Sequence, residues 1–456
     1  MESIRISKLL DAFHPSRSSL RRNFVWTFTG NTIYSACQWA LLSVLAKLTS
    51  PEAVGKYALA MAVTAPLMYI ANFNIGVMLV TDTRKQFRFQ EYRTARLILI
   101  ALSFLAMIVI CWVSRFSAEL MWLTLIVGVA QFSDCLSELY RSVMFRSEQM
   151  SRIAISLILR GLFSVIAAAF VLYRTNSLLW ALTAMALSRI AVLVAFDMQM
   201  GRDIPATADF SYSRRFRDWI MSRFSIQRIT ETIHFPAILR ITRTALPLTI
   251  VTVLTSLVLN LPRYFIEHFA GHRELGIFAA MWSLLTAGNM IAIALGQAIF
   301  PRLSKLYADH DLGGFRRLLT YAIQSGLVLG LLGVVGSIIA GRQILTLAYR
   351  AEYAERHWMF VAIMATGTLV YIITLLGNAA TSARAFKHQA LVMGAVTTMT
   401  LIGSAVLVPK FGVWGAILAV AMGCLTHIAG LTFVVISLLK REDAVRVMSS
   451  LSPEGA

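Results

Sequence analysis

The chain has 456 residues, of which 57% are hydrophobic and only 14% charged, and its mean hydropathy is +0.69. A soluble protein carries about a quarter charged residues to cover its surface. This composition therefore excludes a string of water-facing domains and requires an exterior that faces lipid. The 42 Lys+Arg against 23 Asp+Glu give a formal net charge of +19, and where those charges sit decides between a nucleic-acid partner and a membrane.

In chain order, residues 1–23 come first. Ile4, Ile6, Leu9, Leu10 and Phe13 alternate there with polar residues, the pattern of a short amphipathic helix on a membrane surface. Glu2 and Asp11 interrupt the stretch, which lacks the compact apolar core of a cleavable signal peptide. Twelve mostly apolar stretches follow, each about the 20 residues that a helix needs to cross a bilayer. A first six-helix half, 24–199, holds spans from about Phe24 to Ala46, Val54 to Val80, Leu97 to Val113, Glu119 to Tyr140, Ile153 to Tyr173 and Ser177 to Met198. A basic linker, 200–243, interleaves Arg214, Arg215, Arg217 and Arg223 with Tyr212, Phe216, Trp219 and Phe224. It reads as an interfacial helix or else as a disordered connection. The second half, 244–439, has spans from about Thr244 to Ile266, Leu275 to Phe300, Leu318 to Ala340, Trp358 to Ala380, Gln389 to Val408 and Val413 to Leu439. Residues 440–456 form a tail. The strand alternation of a transmembrane barrel is absent from these runs, so the expected fold class is an all-α polytopic membrane protein of about 12 transmembrane helices.

Thirty of the 42 basic residues fall in the two tails and in the loops after even-numbered spans, and ten fall in, or within three residues of, the loops after odd-numbered ones. That bias puts both termini in the cytoplasm by the positive-inside rule. Spread over seven segments, the basic residues read as topology signals and contacts to anionic membrane lipids, with no nucleic-acid partner. Arg160 and Arg189 fall deep inside spans, whereas Lys56 and Arg263 lie within three residues of the outer ends of theirs. The cysteines Cys37, Cys111, Cys135 and Cys424 are isolated within spans, which suggests neither a disulfide framework nor a metal site. No phosphate-binding loop, nucleophile elbow or zinc-protease motif is present, and the outer loops are too short for a catalytic domain. The sequence does not read as an enzyme, and no cofactor is expected.

Two segments resemble each other. SPEAVGKYALAM, from Ser50, lies between spans 1 and 2, and HRELGIFAAMW, from His272, lies between spans 7 and 8. They align Gly55 with Gly276, Tyr57 with Phe278 and Ala58 with Ala279. Six spans per half is an even number, so both halves enter from the same side. That is a parallel repeat about an axis along the membrane normal, with a substrate site expected near the midplane between the halves.

With the run LPLTIVTVLTSLVLNLPRYFIEHFAGHRELGIFAA from Leu246, QAIFPRLSKLYADHDLGGFRRLL from Gln297 and PKFGVWGAILAVAMG from Pro409, the chain resembles the Wzx-type oligosaccharide flippases. Their superfamily also holds multidrug and toxin extruders and the peptidoglycan-precursor flippases. The resemblance keeps its order over nearly the whole chain, departing at Thr49-Ser50, where the family more often has Leu-Gly. It implies two six-helix bundles of the MATE-like fold in the bacterial inner membrane. It also implies translocation of an undecaprenyl-diphosphate-linked oligosaccharide by alternating access, for exopolysaccharide, capsule or O-antigen synthesis. A polysaccharide polymerase and export components are the implied protein partners. A diphosphate cannot cross about 30 Å of hydrocarbon unaided, so a polar, cationic cavity is expected.

Charged residues inside spans are expensive and mark candidate sites. Arg160 and Arg189 are expected to bind diphosphate or an acidic sugar through their guanidinium forks; the alternative is an ion pair with a neighbouring carboxylate. Asp134, Glu138 and Arg141 are four and three residues apart and share a helix face. Asp134 is a candidate coupling carboxylate, and Glu138 with Arg141 either belong to the same device or form a rim pair. Asn260 and Arg263 flank Pro262 and suggest a hinge or outer gate, or a headgroup contact. Asn31, Gln38, Asn289 and Gln297 are cavity candidates because the first two spans of each half line the cleft in the resembling superfamily. Most intramembrane amides simply bond neighbouring helices. The competing readings are a cation-coupled multidrug extruder of the same fold, which a single deep acid, Asp134, argues against, a membrane-embedded polymerase or acyltransferase, and a non-transporting assembly scaffold.

Overall fold

The computed structural model describes residues 20–82, 86–202, 235–383 and 385–451. The surface helix expected at the N-terminus and the basic interfacial segment around Tyr212 to Phe224 lie outside the described residues. Every regular element among the described residues is helical, as hydrocarbon demands when each backbone N–H and C=O must find its partner within the segment. In chain order the helices are α1 (Leu20–Leu48), α2 (Pro51–Asn72), α3 (Ile75–Thr81), α4 (Phe89–Val113), α5 (Ala118–Arg146), α6 (Met150–Thr175), α7 (Leu178–Val192) and, after a π-helical turn (Leu193–Asp197), α8 (Met198–Arg202). Then come α9 (Phe235–Ala308), α10 (Leu312–Ala348), the short α11 (Ala351–Ala354), α12 (His357–Ser382), α13 (Phe386–Phe411) and α14 (Val413–Leu451).

Among the described residues, ten helical runs are long and apolar enough to cross a membrane. One of them, residues 236–308, contains two of the expected spans on either side of Gly271, whose φ of 82° only glycine adopts without strain. The first expected span is α1, less apolar than the ten because Thr27, Thr29, Asn31, Thr32 and Gln38 interrupt it. The second span is not one continuous helix. Phe73 and Asn74 take left-handed φ values of 44° and 50° and separate α2 from α3, and the Asn74 amide donates to Thr252 at 3.3 Å. Membrane proteins accept such a break where other polar groups can re-satisfy the freed backbone.

The described chain divides into two compact units. The first comprises residues up to 44 with 60–253, and the second comprises 45–59 with 254 onward. In the first unit α6 packs on α7, and α5 packs on α7, α3 and α4. In the second, α13 packs on α14, and α12 lies against α10 and α14. Each unit has its own apolar core: Leu67, Met107 and Phe132 in the first; Leu303, Phe315, Leu376 and Leu431 in the second. Large apolar residues such as Trp112, Ile339, Leu391 and Phe433 are exposed and form the surface offered to lipid.

The tip of the first hairpin, 45–59, falls on sequence in the first half but packs within the second unit. There the two resembling segments meet. A Cβ at Gly55 would overlap the carbonyl of His272, and a Cβ at Gly276 would overlap the carbonyl of Pro51. Pro51 and His272 each precede the glycine by four residues, so the contact is reciprocal, as an axis relating two copies requires. The weak alignment of Gly55 with Gly276 is thus expressed as a backbone-to-backbone helix crossing that only glycine permits.

Candidate functional site

In the first unit α5 is the central helix, with 61% of its apolar window buried against 22% for α4. It starts at Ser117, whose hydroxyl caps the Leu120 N–H at 3.3 Å. Further on, Gln131, Asp134, Ser137, Glu138 and Ser142 recur at helical spacing, so a polar stripe runs down a helix enclosed by others. Gln131 donates to Thr64 at 2.7 Å.

Four charges meet on this stripe. Asp134 accepts from Arg160 Nη1 through Oδ1, and from Arg189 Nη1 through Oδ2 at 2.8 Å. Arg160 Nη2 also donates to the Ser137 hydroxyl, and to Asp197 Oδ2 at 2.9 Å. Arg189 Nε donates to Ser164 at 3.2 Å, and its Nη2 reaches the Gln38 carbonyl oxygen at 3.5 Å. The side chains of Arg160, Arg189 and Asp197 are 1%, 5% and 0% exposed, and that of Asp134 is 16% exposed. Two guanidiniums face two carboxylates, so the group is balanced in charge.

Asp197 reaches this group because of the π turn. Eight residues of regular α-helix would rotate it about 80° away from Arg189. The wider winding over Leu193–Asp197 turns less per residue and returns Asp197 to the Arg189 face. The sequence expectation of a single deep acid is therefore corrected: Asp197, inside the sixth span, is the most buried acid of the cluster. The arginines are not free cations, and the acid count no longer argues against an extruder.

The Glu138–Arg141 pairing is corrected as well. Glu138 Oε2 bonds Arg96 Nη2 at 2.8 Å, while Arg96 Nη1 donates to Asn72 beside the α2–α3 break. Ser142 donates to Glu138 Oε1 at 3.2 Å. Arg141 Nη1 is buried with no hydrogen-bond partner among the described residues. Arg96 lies one residue before the apolar run of the third span, where it reads as a loop cation, yet it is fully buried because α4 begins at Phe89. Gly76 makes room for this pair, since a Cβ there would strike Glu138.

The other candidates are dispersed. Asn31 is exposed and bonds its own helix at Thr27 O, 2.8 Å, so only Gln38 of the α1 pair reaches the cluster. In the second unit, Asn289 accepts from Thr374 at 3.2 Å and Gln297 is exposed. Asn260 is buried, bonds Ser256 O at 2.8 Å and accepts from Arg263 at 3.2 Å. Near them a cavity of about 170 Å³ is lined mainly by apolar side chains, including Val258, Phe278, Trp282 and Met393, with His427 on its wall.

The helix order, the broken second span and a buried charge cluster define a multi-pass membrane protein with the fold of known transporters and flippases. The solved structure of the lipid II flippase MurJ in an inward closed conformation matches with a TM-score of 0.67 at 13% identity, over 93% of each chain. An inward-facing multidrug resistance MATE family transporter matches with a TM-score of 0.60 at 13% identity, over 94% of this chain and 96% of that one. At such identities the likeness concerns the fold alone. The chain belongs to the polysaccharide biosynthesis protein family, whose sequence profile matches residues 20–307. The capsular polysaccharide biosynthesis protein CapF of Staphylococcus aureus is 23% identical over 403 residues, covering 88% of this chain and 95% of that protein.

Proposed function

We propose that the protein is a transporter rather than an enzyme, and that it moves an undecaprenyl-diphosphate-linked oligosaccharide from the cytoplasmic to the periplasmic leaflet of the bacterial inner membrane. The observation that carries this reading is the charge cluster of Arg160 and Arg189 buried in a chain of the polysaccharide biosynthesis family. A diphosphate is the part of such a ligand that hydrocarbon excludes most strongly, and guanidinium forks match its oxygens. The lipid tail stays in the bilayer while the headgroup passes by alternating access. Both termini face the cytoplasm, and a polymerase and export components act on the delivered unit.

The test is reconstitution of the full chain in proteoliposomes with a fluorescent undecaprenyl-diphosphate oligosaccharide in the inner leaflet. The expected result is exposure of the sugar to an external glycosidase faster than in empty vesicles. Equal rates with and without protein, together with efflux of a cationic dye, would assign the chain to the multidrug class instead.

A further inference from the structure

Asp134 stands between Arg160 and Arg189 and gives one carboxylate oxygen to each. Two non-bridging oxygens of a phosphate would address two guanidiniums in the same way. We propose that Arg160 and Arg189 form an oxyanion site occupied from within by Asp134, and that a phosphate of the ligand enters by displacing this carboxylate from Arg189. The inference rests on the diphosphate reading above and adds how the ligand gains its site.

Three features of the cluster point the same way. The first is the inequality of the arginines. Arg160 has a second acid, Asp197, at 2.9 Å, whereas Arg189 has otherwise only the neutral Ser164 and Gln38. When Asp134 moves, Arg160 stays neutralised and Arg189 alone carries an uncompensated charge, so the attraction for an incoming anion concentrates there. The second is access: Asp134 is the most exposed of the four side chains, and Asp197 is sealed. The third is backbone context. Asp134 lies within the regular turns of α5 and can leave Arg189 by a side-chain rotation, whereas Asp197 ends the π turn that fixes its direction. An unpaired arginine at membrane depth is costly, so the site exchanges one anion for another and does not stand open.

The experiment measures binding of inorganic pyrophosphate to the full chain in phosphatidylcholine nanodiscs, by calorimetry at fixed pH. Asp134→Asn is expected to bind at least about tenfold more tightly than the unsubstituted chain, because a charge-assisted contact to Arg189 is released. Adding Arg189→Gln should remove the gain. Equal or weaker binding by a folded Asp134→Asn protein overturns the proposal. Should that variant not fold, the unsubstituted chain is read by infrared difference spectroscopy. Pyrophosphate should shift an ion-paired carboxylate band, and Arg189→Gln should abolish the shift; an unchanged carboxylate region overturns the proposal. Repeating the titration in phosphatidylglycerol nanodiscs separates two sources of phosphate. Suppressed pyrophosphate binding assigns the site to a lipid headgroup, and persistent binding assigns it to a carrier diphosphate, the exchange with Asp134 standing in both cases. A tenfold gain with no translocation in the vesicle assay sinks the proposed function while leaving the exchange intact.

Discussion

The interiors of the two units differ in what they bury. The charged side chains buried as a whole among the described residues, namely Arg96, Arg160, Arg189 and Asp197, belong to the first unit. Among the described residues of the second unit, the polar side chains buried as a whole are neutral ones such as Ser256, Asn260 and Thr366, while Arg263 buries its Nε. Its ion pairs, including Arg273–Glu352 and Arg356–Glu274, are partly exposed. Partly exposed pairs contribute little to stability, whereas a buried pair is expensive to disrupt and expensive to keep. A buried charge cluster present in the first unit and missing among the described residues of the second is what the following substitutions probe.

The strongest way to break this contrast is Arg160→Ala. It strands Asp197, which is fully buried and whose Oδ1 already lacks a partner among the described residues. A loss of about 3–5 kcal/mol is expected, as for breaking a buried pair, read by unfolding in detergent. Arg189→Ala leaves Asp134 bonded to Arg160, so folding should survive while export fails; normal polymer yield at equal protein level would place the task elsewhere. Arg96→Ala should destabilise by about 3 kcal/mol, and Arg141→Ala by well under 1 kcal/mol, which tests the corrected partner of Glu138. In the second unit, Gly276→Ala should cost about 1–3 kcal/mol by forcing the Pro51 carbonyl away. His427→Leu, on the wall of the apolar cavity, should leave transport unchanged, and a loss of export there would put function in both units.

The smallest expected effect lies at the α3–α4 turn. Burial raises the Asp82 carboxyl, but hydrogen bonds from the Gln86 and Phe87 N–H groups and the Tyr92 hydroxyl, with the Arg146 charge, outweigh it and hold it below its ordinary value. A carboxylate lowered in the folded state adds stability above its unfolded value, and that stability fades as pH falls below about 4. A melting temperature measured from pH 6 to pH 3 should fall less in Asp82→Asn than in the unsubstituted chain.

Much of the architecture was legible in the residues. The apolar runs place the long helices, since length and hydropathy alone decide what can cross a bilayer, and the glycines of SPEAVGKYALAM and HRELGIFAAMW already suggest a repeat. The site was legible only in part. Arg160, Arg189, Asp134 and Gln38 stand out as polar residues in apolar runs, and the structure gathers them. Arg96 did not stand out, because a cation at the edge of a span looks like a loop residue until the helix start is known. Asp197 was missed for a different reason: its direction depends on a π turn that leaves no pattern in LVAFD.

The sequence by itself determined the membrane, the helical class and the order of the long apolar helices. These follow from composition and periodicity, which act along the chain. Tertiary structure alone decided which charges neutralise which. An ion pair depends on where α5, α6, α7 and the π turn converge in space, and residues 26 to 55 positions apart in sequence, such as Arg160 and Arg189 on Asp134, share no local signal. The chain announces that costly charges lie within its spans, and only the packing of those helices makes the group balanced.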